Sequence, residues 1–479
     1  MLFQVAAYVI VYFSCLALFC LVRSHRVRQI ALLVANYLLY LSWGWWFACI
    51  LAFSTLVNFA LGKKLRRDQA DSTLGLGIAI NVVILGTFKY LPELGSSLTW
   101  EPLHFLVRLA LPLGISFWTF QALSFLFDQY RGEDLDPSII EFAVYMSFFP
   151  VVISGPVCRM VDMLPQFRSE ERPAWGNFVE GMRRVLIGLF MMQVARLLGN
   201  GAMGGEGIDA GFHQATQWGG PDVWLLGIGY GLRLYFDFAG FTSIVIGAAK
   251  GLGMVVPENF NHPFRSTSPS IFWTRWHMSL SFWIRDYVFL PAAMIRREVW
   301  WRYFALFASM VVFGIWHKGT LLFVLWGAFH GALLVVHRLW QGLVRRWNLD
   351  TSAPIWEPIS WICTMAPISL AWILFSQIAP EQVAKMFTAV VTPSSYAHQY
   401  LGSSVYLLVF AVMAICACYS QVRQMLEDAQ DQEASGVFAI IAKRQDYWVP
   451  ALYIVAFVAV YVMASGQGNN AAALMYRAF

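Results

Sequence analysis

Charge is what this chain has least of. Asp, Glu, Lys and Arg make up 13% of its 479 residues, about half the ~25% of a soluble domain. With 58% hydrophobic residues and a mean hydropathy of +0.57, a water-soluble fold is excluded and an integral membrane protein is implied. The net charge of +5 does not point to nucleic acid, because the Lys and Arg residues cluster in short loops, as cytoplasmic loops of membrane proteins require. Cysteine is sparse too. Cys15, Cys20, Cys49, Cys158, Cys363, Cys416 and Cys418 show no zinc-ligand spacing, and most sit in apolar runs as small hydrophobes. Cys416 and Cys418 are two apart and do not share a helix face. No metal site and no bound cofactor are expected. A cleavable signal pattern is missing as well: residues 1–22 are apolar, and the first basic cluster (Arg23, Arg26, Arg28) follows rather than precedes them. They read as a retained helix with its N-terminus outside. No linker, fixed-period repeat or low-complexity tract divides the chain, so 1–479 is expected to be a single integral membrane domain.

What remains is a succession of about thirteen apolar segments, several shorter than the ~20 residues a straight span needs. They lie near 1–22, 29–43, 45–62, 74–91, 103–127, 139–156, 184–199, 222–249, 302–317, 320–337, 354–378, 402–420 and 447–465. Basic clusters at Lys63–Arg67, Arg131, Lys250, Arg265–Arg302, Arg345–Arg346 and Arg423 fall inside, whereas 200–221 holds no Lys or Arg and falls outside. Parity fails once, at Arg159, Arg168, Arg172, Arg183 and Arg184. It is restored if 139–156 turns back at Gly155-Pro156, so that stretch is expected to be re-entrant. Residues 250–300, aromatic, basic and broken by Pro257, Pro263, Pro269 and Pro291, suit helices lying at the inner interface. The polar stretch 421–446 reads as an inner loop.

Two histidines stand out against this background: His277, in Phe272-Trp273-Thr274-Arg275-Trp276-His277, and His317, in Gly314-Ile315-Trp316-His317-Lys318-Gly319. An ionisable group in an apolar setting is costly and points to function, and histidine accepts and returns protons near neutral pH. His317 lies about 22 Å along a helix from Arg302, well into a hydrocarbon core of ~30 Å. His277 starts on the inner side. The two meet only if 271–290 dips inward or a funnel descends to it. Arg233 and Asp237, four apart, suit a structural ion pair. Arg285-Asp286 reads as an interfacial anchor or a contact for a phosphopantetheine-like donor. Gly227, Gly229 and Gly231 suit close helix packing rather than a nucleotide loop. His330 and His337 read as packing histidines, and Trp43, Trp45 and Trp46 as an interfacial belt.

Further motifs accompany the histidines. Leu111-Pro112-Leu113-Gly114-Ile115-Ser116-Phe117-Trp118-Thr119-Phe120-Gln121-Ala122-Leu123 comes first, then Phe148-Phe149-Pro150 with Ser154-Gly155-Pro156, and Tyr235-Phe236-Asp237-Phe238-Ala239-Gly240-Phe241. Pro257-Glu258-Asn259-Phe260-Asn261-His262-Pro263-Phe264 leads into the His277 run and on to Trp283-Ile284-Arg285-Asp286-Tyr287. Leu325-Trp326-Gly327-Ala328-Phe329-His330-Gly331 follows His317. Over residues 111–331, in this order, the chain resembles the membrane-bound O-acyltransferase (MBOAT) family. The resemblance is closest to the bacterial branch of alginate O-acetylase and the teichoic-acid D-alanyl transfer protein, and the ending Leu474–Phe479 of this chain resembles that branch too. The chain departs from the family pattern where Lys318 separates His317 from Gly319, at Thr242-Ser243, and at Pro291-Ala292-Ala293-Met294.

The resemblance implies an all-α polytopic membrane protein, a bundle of about 11–13 membrane helices with re-entrant or interfacial segments, in a bacterial inner (plasma) membrane. It implies acyl transfer, acetyl first, from a cytoplasmic thioester (acetyl-CoA or an acyl carrier protein, as substrate) to hydroxyls of an exported polysaccharide. An extracytoplasmic transferase or esterase-like partner would complete the transfer. His317 matches the catalytic position and His277 the second one, there to hold donor or stabilise an oxyanion. The chemistry agrees: a thioester is already activated, but a sugar hydroxyl needs a base, which contributes about 10²–10⁴-fold. Arg285, Arg296 and Arg297 are the candidate donor-binding cations, with lipid anchoring as the plain alternative for the last two. D-alanyl transfer to teichoic acid from a carrier protein, a proton-coupled transporter, and an inactive assembly scaffold are the other readings. A transporter would suit broken helices, but no matched halves are found.

Overall fold

A computed structural model of the chain describes residues 2–92, 111–202, 205–431, 451–452, 454–459 and 461–462. Among the described residues there are helices and no strands. In chain order these are α1 Leu2–Leu21, α2 His25–Trp43, α3 Trp45–Asp68, α4 Asp71–Lys89, α5 Ile115–Tyr130, α6 Ile139–Ser147, α7 Met160–Phe167, α8 Trp175–Asn200 and α9 Ile208–His213. There follow α10 Gly220–Gly251, α11 Pro269–Trp273, α12 Met278–Ile284, α13 Leu290–Met294, α14 Val299–His317, α15 Leu321–Arg346, α16 Trp356–Phe375, α17 Pro380–Val391 and α18 Ser403–Asp431. Helices α3, α4, α10, α14, α15 and α16 are each long and apolar enough to cross a bilayer, and shorter apolar stretches run over Ala6–Leu21 and Ser403–Cys418. This is an all-α, multi-pass membrane protein, as helices satisfy every backbone group within the segment. The expected segment 447–465 and the ending Leu474–Phe479 lie largely or wholly outside the described residues, as does the start of 103–127. The expected inner loop at 421 is instead helical as far as Asp431. Gln421-Val422-Arg423-Gln424-Met425-Leu426-Glu427 is a run mostly of helix formers, and loss of hydrophobicity alone does not end a helix.

The described chain divides into two compact units. The first comprises Met1–Val185, Val245–Pro263 and Ser270–Ser309. Its centre is α5, which packs against α3 and α4. Polar side chains stitch its helices where lipid offers no partner: Asn81 donates to Asn58 at 2.7 Å, and Asn36 donates to Ser147 at 3.0 Å while accepting the Phe149 amide. Helix α6 begins on a capping box, Ser138 with Glu141, and stops after nine residues, a rise of about 14 Å that cannot cross a ~30 Å core. The chain then turns tightly at Phe148–Gly155, where a Cβ on Gly155 would lie 2.6 Å from the Val151 Cα. A tight turn thus lies in the stretch where a turn-back was expected. The Gly114 φ of 71° places it in the left-handed region, and a Cβ there would overlap the Val152 carbonyl. Glycine at 114 thus lets the Pro112-Leu113-Gly114 turn seat on the 148–155 turn.

The second unit comprises Leu186–Ile244, Phe264–Pro269 and Met310–Phe479. The glycines of α10 do what close packing asks. A Cβ on Gly227 would lie 2.5 Å from the Ser369 carbonyl oxygen, and one on Gly231 would lie 2.5 Å from the Trp372 indole nitrogen. Buried Asp222 accepts hydrogen bonds from the Gly219 and Tyr400 amides (2.9 Å each) and from the Tyr406 hydroxyl at 2.6 Å. It thereby caps α10 and pins 400–406 to it. Arg233, which the spacing offers to Asp237, also forms an ion pair with Asp209 of α9, a partner no helical period could reveal.

Candidate active site

The two histidines fall in different units. In the first, α11 ends at Trp273 and α12 begins at Met278, and His277 occupies the joint with a φ of 43°. A non-glycine residue there is strained by roughly 1–3 kcal/mol and persists only where neighbours impose it. Those neighbours are in view. The Met278 amide donates to the Asn259 carbonyl at 2.8 Å, and the Asn261 amide to the Arg275 carbonyl at 3.0 Å. The His277 Nδ1 lies 3.3 Å from the Asn259 Oδ1. That oxygen also accepts the Ser279 hydroxyl at 2.6 Å and the Ser279 amide at 3.3 Å, while Ser279 Oγ accepts the Val157 amide at 3.0 Å. Three separate motifs (Ser154–Pro156 with its neighbour Val157, Pro257–Phe264 and Phe272–His277) thus meet through Asn259 and Ser279 beside the His277 ring. His277 is 2% exposed, and burial pushes its imidazole down towards the neutral form.

In the second unit, α14 delivers His317 as its last residue, after which the chain turns at 318–320 into α15. The ring is enclosed by aromatics, with centroids of Phe313 and Phe375 at 5.0 Å, Trp316 at 4.7 Å and Trp326 at 5.3 Å. The motif glycines explain how α14 and α15 approach so closely. A Cβ on Gly314 would overlap the Phe323 carbonyl, and one on Gly327 would overlap that of Met310. Lys318, the residue that interrupts the family pattern, donates from Nζ to the Gln377 Oε1 at 3.2 Å. It ties the end of α14 to the turn after α16, two residues beyond Phe375. His330 meets Trp326 edge-on, with ring centroids 4.8 Å apart, and is 1% exposed.

Of the candidate donor-binding cations, Arg285 and Arg296 contact near neighbours in sequence. Arg285 donates to the Asp286 carboxylate at 2.6 Å and lies over the Phe282 ring, and Arg159 holds the same carboxylate at 2.6 Å. Burial raises the Asp286 carboxyl, but its bonds to Arg285 and Arg159 outweigh this and hold it below its usual range. Arg296 lies over Trp301 at 4.9 Å and, with Arg297, is exposed. Sequence reasoning passed over Asn259, Ser279, Phe375 and Gln377. Asn259 stands inside the Pro257–Phe264 motif and could have been found there; Gln377 carries no local signal.

A multi-pass helical membrane protein with buried histidines set in ordered aromatic motifs, His277 and His317 foremost, is the class that fold and site define. Residues 46–377 match the membrane-bound O-acyltransferase family, MBOAT, and the chain belongs to that family of acyltransferases. It is 32% identical over 384 residues to the probable alginate O-acetylase AlgI of Pseudomonas putida, covering 77% of this chain and 75% of that protein. It is 28% identical over 393 residues to the peptidoglycan O-acetyltransferase of Helicobacter pylori, covering 75% and 73%. It is also 30% identical over 287 residues to the teichoic acid D-alanyltransferase of Streptococcus thermophilus, covering 55% and 68%.

Proposed function

We propose that this protein transfers an acetyl group from a cytoplasmic thioester, acetyl-CoA or an acyl carrier protein, to hydroxyls of an exported polysaccharide in a bacterial inner membrane. The transfer is direct or is completed by an extracytoplasmic transferase or esterase-like partner. The observation that carries the reading is His317, held by an aromatic enclosure at the end of a membrane-length helix in a chain whose relatives named as acetylases align over three quarters of its length. His317 takes the proton of the attacking hydroxyl. The oxygen bonds to the thioester carbonyl carbon, the tetrahedral intermediate collapses, the C–S bond breaks, and the imidazolium returns the proton to the departing thiolate. His277 supports the same reaction by contacting a substrate. The exposed Arg296 and Arg297 draw in the donor's phosphate or acidic carrier, and the cation-free linker 200–221 faces outward with the N-terminus. D-alanyl transfer from a carrier protein is the second reading, favoured by the teichoic-acid relative over a shorter alignment. The test is His317→Ala: product acylation is lost while insertion and purification are unchanged. Near wild-type acyl content in the product would overturn the assignment, and feeding labelled acetyl or D-alanyl donor separates the two readings.

A further inference from the structure

We propose that Asn259 is a positioning residue that holds His277 as the Nδ1–H tautomer, so that His277 meets its substrate through an Nε2 lone pair, as an acceptor and not as an oxyanion donor. This rests on the reading of His277 as a site residue. One donor near the ring has a direction that is not in question. The Ser279 backbone N–H can only donate, and it points at the Asn259 side chain at 3.3 Å, so the atom there is the carbonyl oxygen and not the amide nitrogen. The Ser279 hydroxyl donates to the same oxygen at 2.6 Å. Its own orientation is set by the Val157 N–H that it accepts. The alternative amide flip would set two donors against the Asn259 NH₂. Asn259 is 0% exposed, where a mismatch of that kind costs roughly 1–3 kcal/mol.

The His277 Nδ1 therefore faces an acceptor at 3.3 Å and must carry the hydrogen. A neutral imidazole has one N–H, which leaves Nε2 as the basic nitrogen. The oxygen that orients the ring lies in a residue whose own backbone carbonyl accepts the Met278 amide. The tautomer and the left-handed φ of His277 are thus imposed by the same short segment, 257–261. The substrate contact at Nε2 is an O–H or N–H group, such as an acceptor hydroxyl or an amide of the donor's thiol arm. A tautomer fixed by the partner of the other ring nitrogen is the general rule for working histidines.

The experiment is ¹⁵N NMR of ring-labelled histidine in the detergent-solubilised full chain, with the His277 signals assigned by their loss in His277→Asn. The expected pattern is a neutral ring with a non-protonated Nε2. In Asn259→Leu the Nε2–H tautomer should grow in, and kcat should fall about 10–100-fold with a smaller change in KM. Asn259→Asp, which keeps the acceptor oxygen, should restore the wild-type tautomer. Finding Nε2–H in the wild-type protein would overturn the proposal even if Asn259→Leu failed to fold. An unchanged tautomer in folded Asn259→Leu would do the same. Because the spectrum does not require turnover, an inactive preparation would count against the acyl-transfer reading and not against this one.

Discussion

Gly314→Ala tests whether the approach of α14 to α15 sets the position of His317. A methyl at 314 would overlap the Phe323 carbonyl oxygen and press within 3.1 Å of the Gly327 Cα. Both obstacles are backbone, so no side chain can swing aside. Relieving the overlap requires the helices to part by about 1 Å, and inserting atoms into a close-packed contact costs about 1–3 kcal/mol. His317 is three residues further along, and its ring touches Phe323, Trp326 and Phe375. Parting the helices shifts the imidazole against that enclosure, and a misplacement of about 1 Å can cost on the order of 10²-fold in rate. The assay is acyl transfer per folded molecule, alongside thermal unfolding in detergent. Gly342→Ala is the control. It lies on the opposing helix, α15, and a Cβ added there would meet nothing within 4 Å, so the variant should be neutral or stabilised by up to about 1 kcal/mol. If Gly314→Ala matched Gly342→Ala in both stability and turnover, the reasoning from the glycine contact would be wrong.

Arg168→Met should destabilise the first unit in a pH-dependent way. Burial raises the Glu141 carboxyl, but its bonds to Arg168 and Ser138 outweigh this and hold it at about 2 against an ordinary 4.5. A depressed carboxyl stabilises the fold above the unfolded value and loses that contribution as pH falls from 4.5 towards 2. Because Arg168 is half exposed, the substitution should cost only about 1 kcal/mol near pH 7, with the difference from wild type vanishing in acid. Equal destabilisation at pH 3 and pH 7 in a melting series would refute this. Separately, R296E with R297E should raise the apparent donor KM several-fold and flatten its salt dependence, since exposed attractions are screened over about 8–10 Å. Unchanged kinetics with weaker binding to anionic vesicles would assign both residues to the lipid surface instead.

Scarcity of charge, the run of apolar segments and the ordered motifs were enough to read an all-α membrane acyltransferase and to single out His277 and His317. Burial in lipid leaves its mark on composition directly, and aromatic-histidine motifs are local in sequence. The short helix and tight turn at Ile139–Gly155 lie where a break in the pattern of basic residues led a turn-back to be expected. What local pattern could not supply was partnership. Arg233 meets Asp209 as well as offering itself to Asp237. Lys318, seen only as an interruption, ties α14 to Gln377. The Asn259 oxygen, eighteen residues before His277, lies beside the ring and is itself held by Ser279, which accepts the Val157 amide. Each of these depends on which side chains from distant parts of the sequence are brought within about 3 Å of one another. That is decided by helix ends, glycine contacts and tight turns folding together, and no periodicity in the chain encodes it.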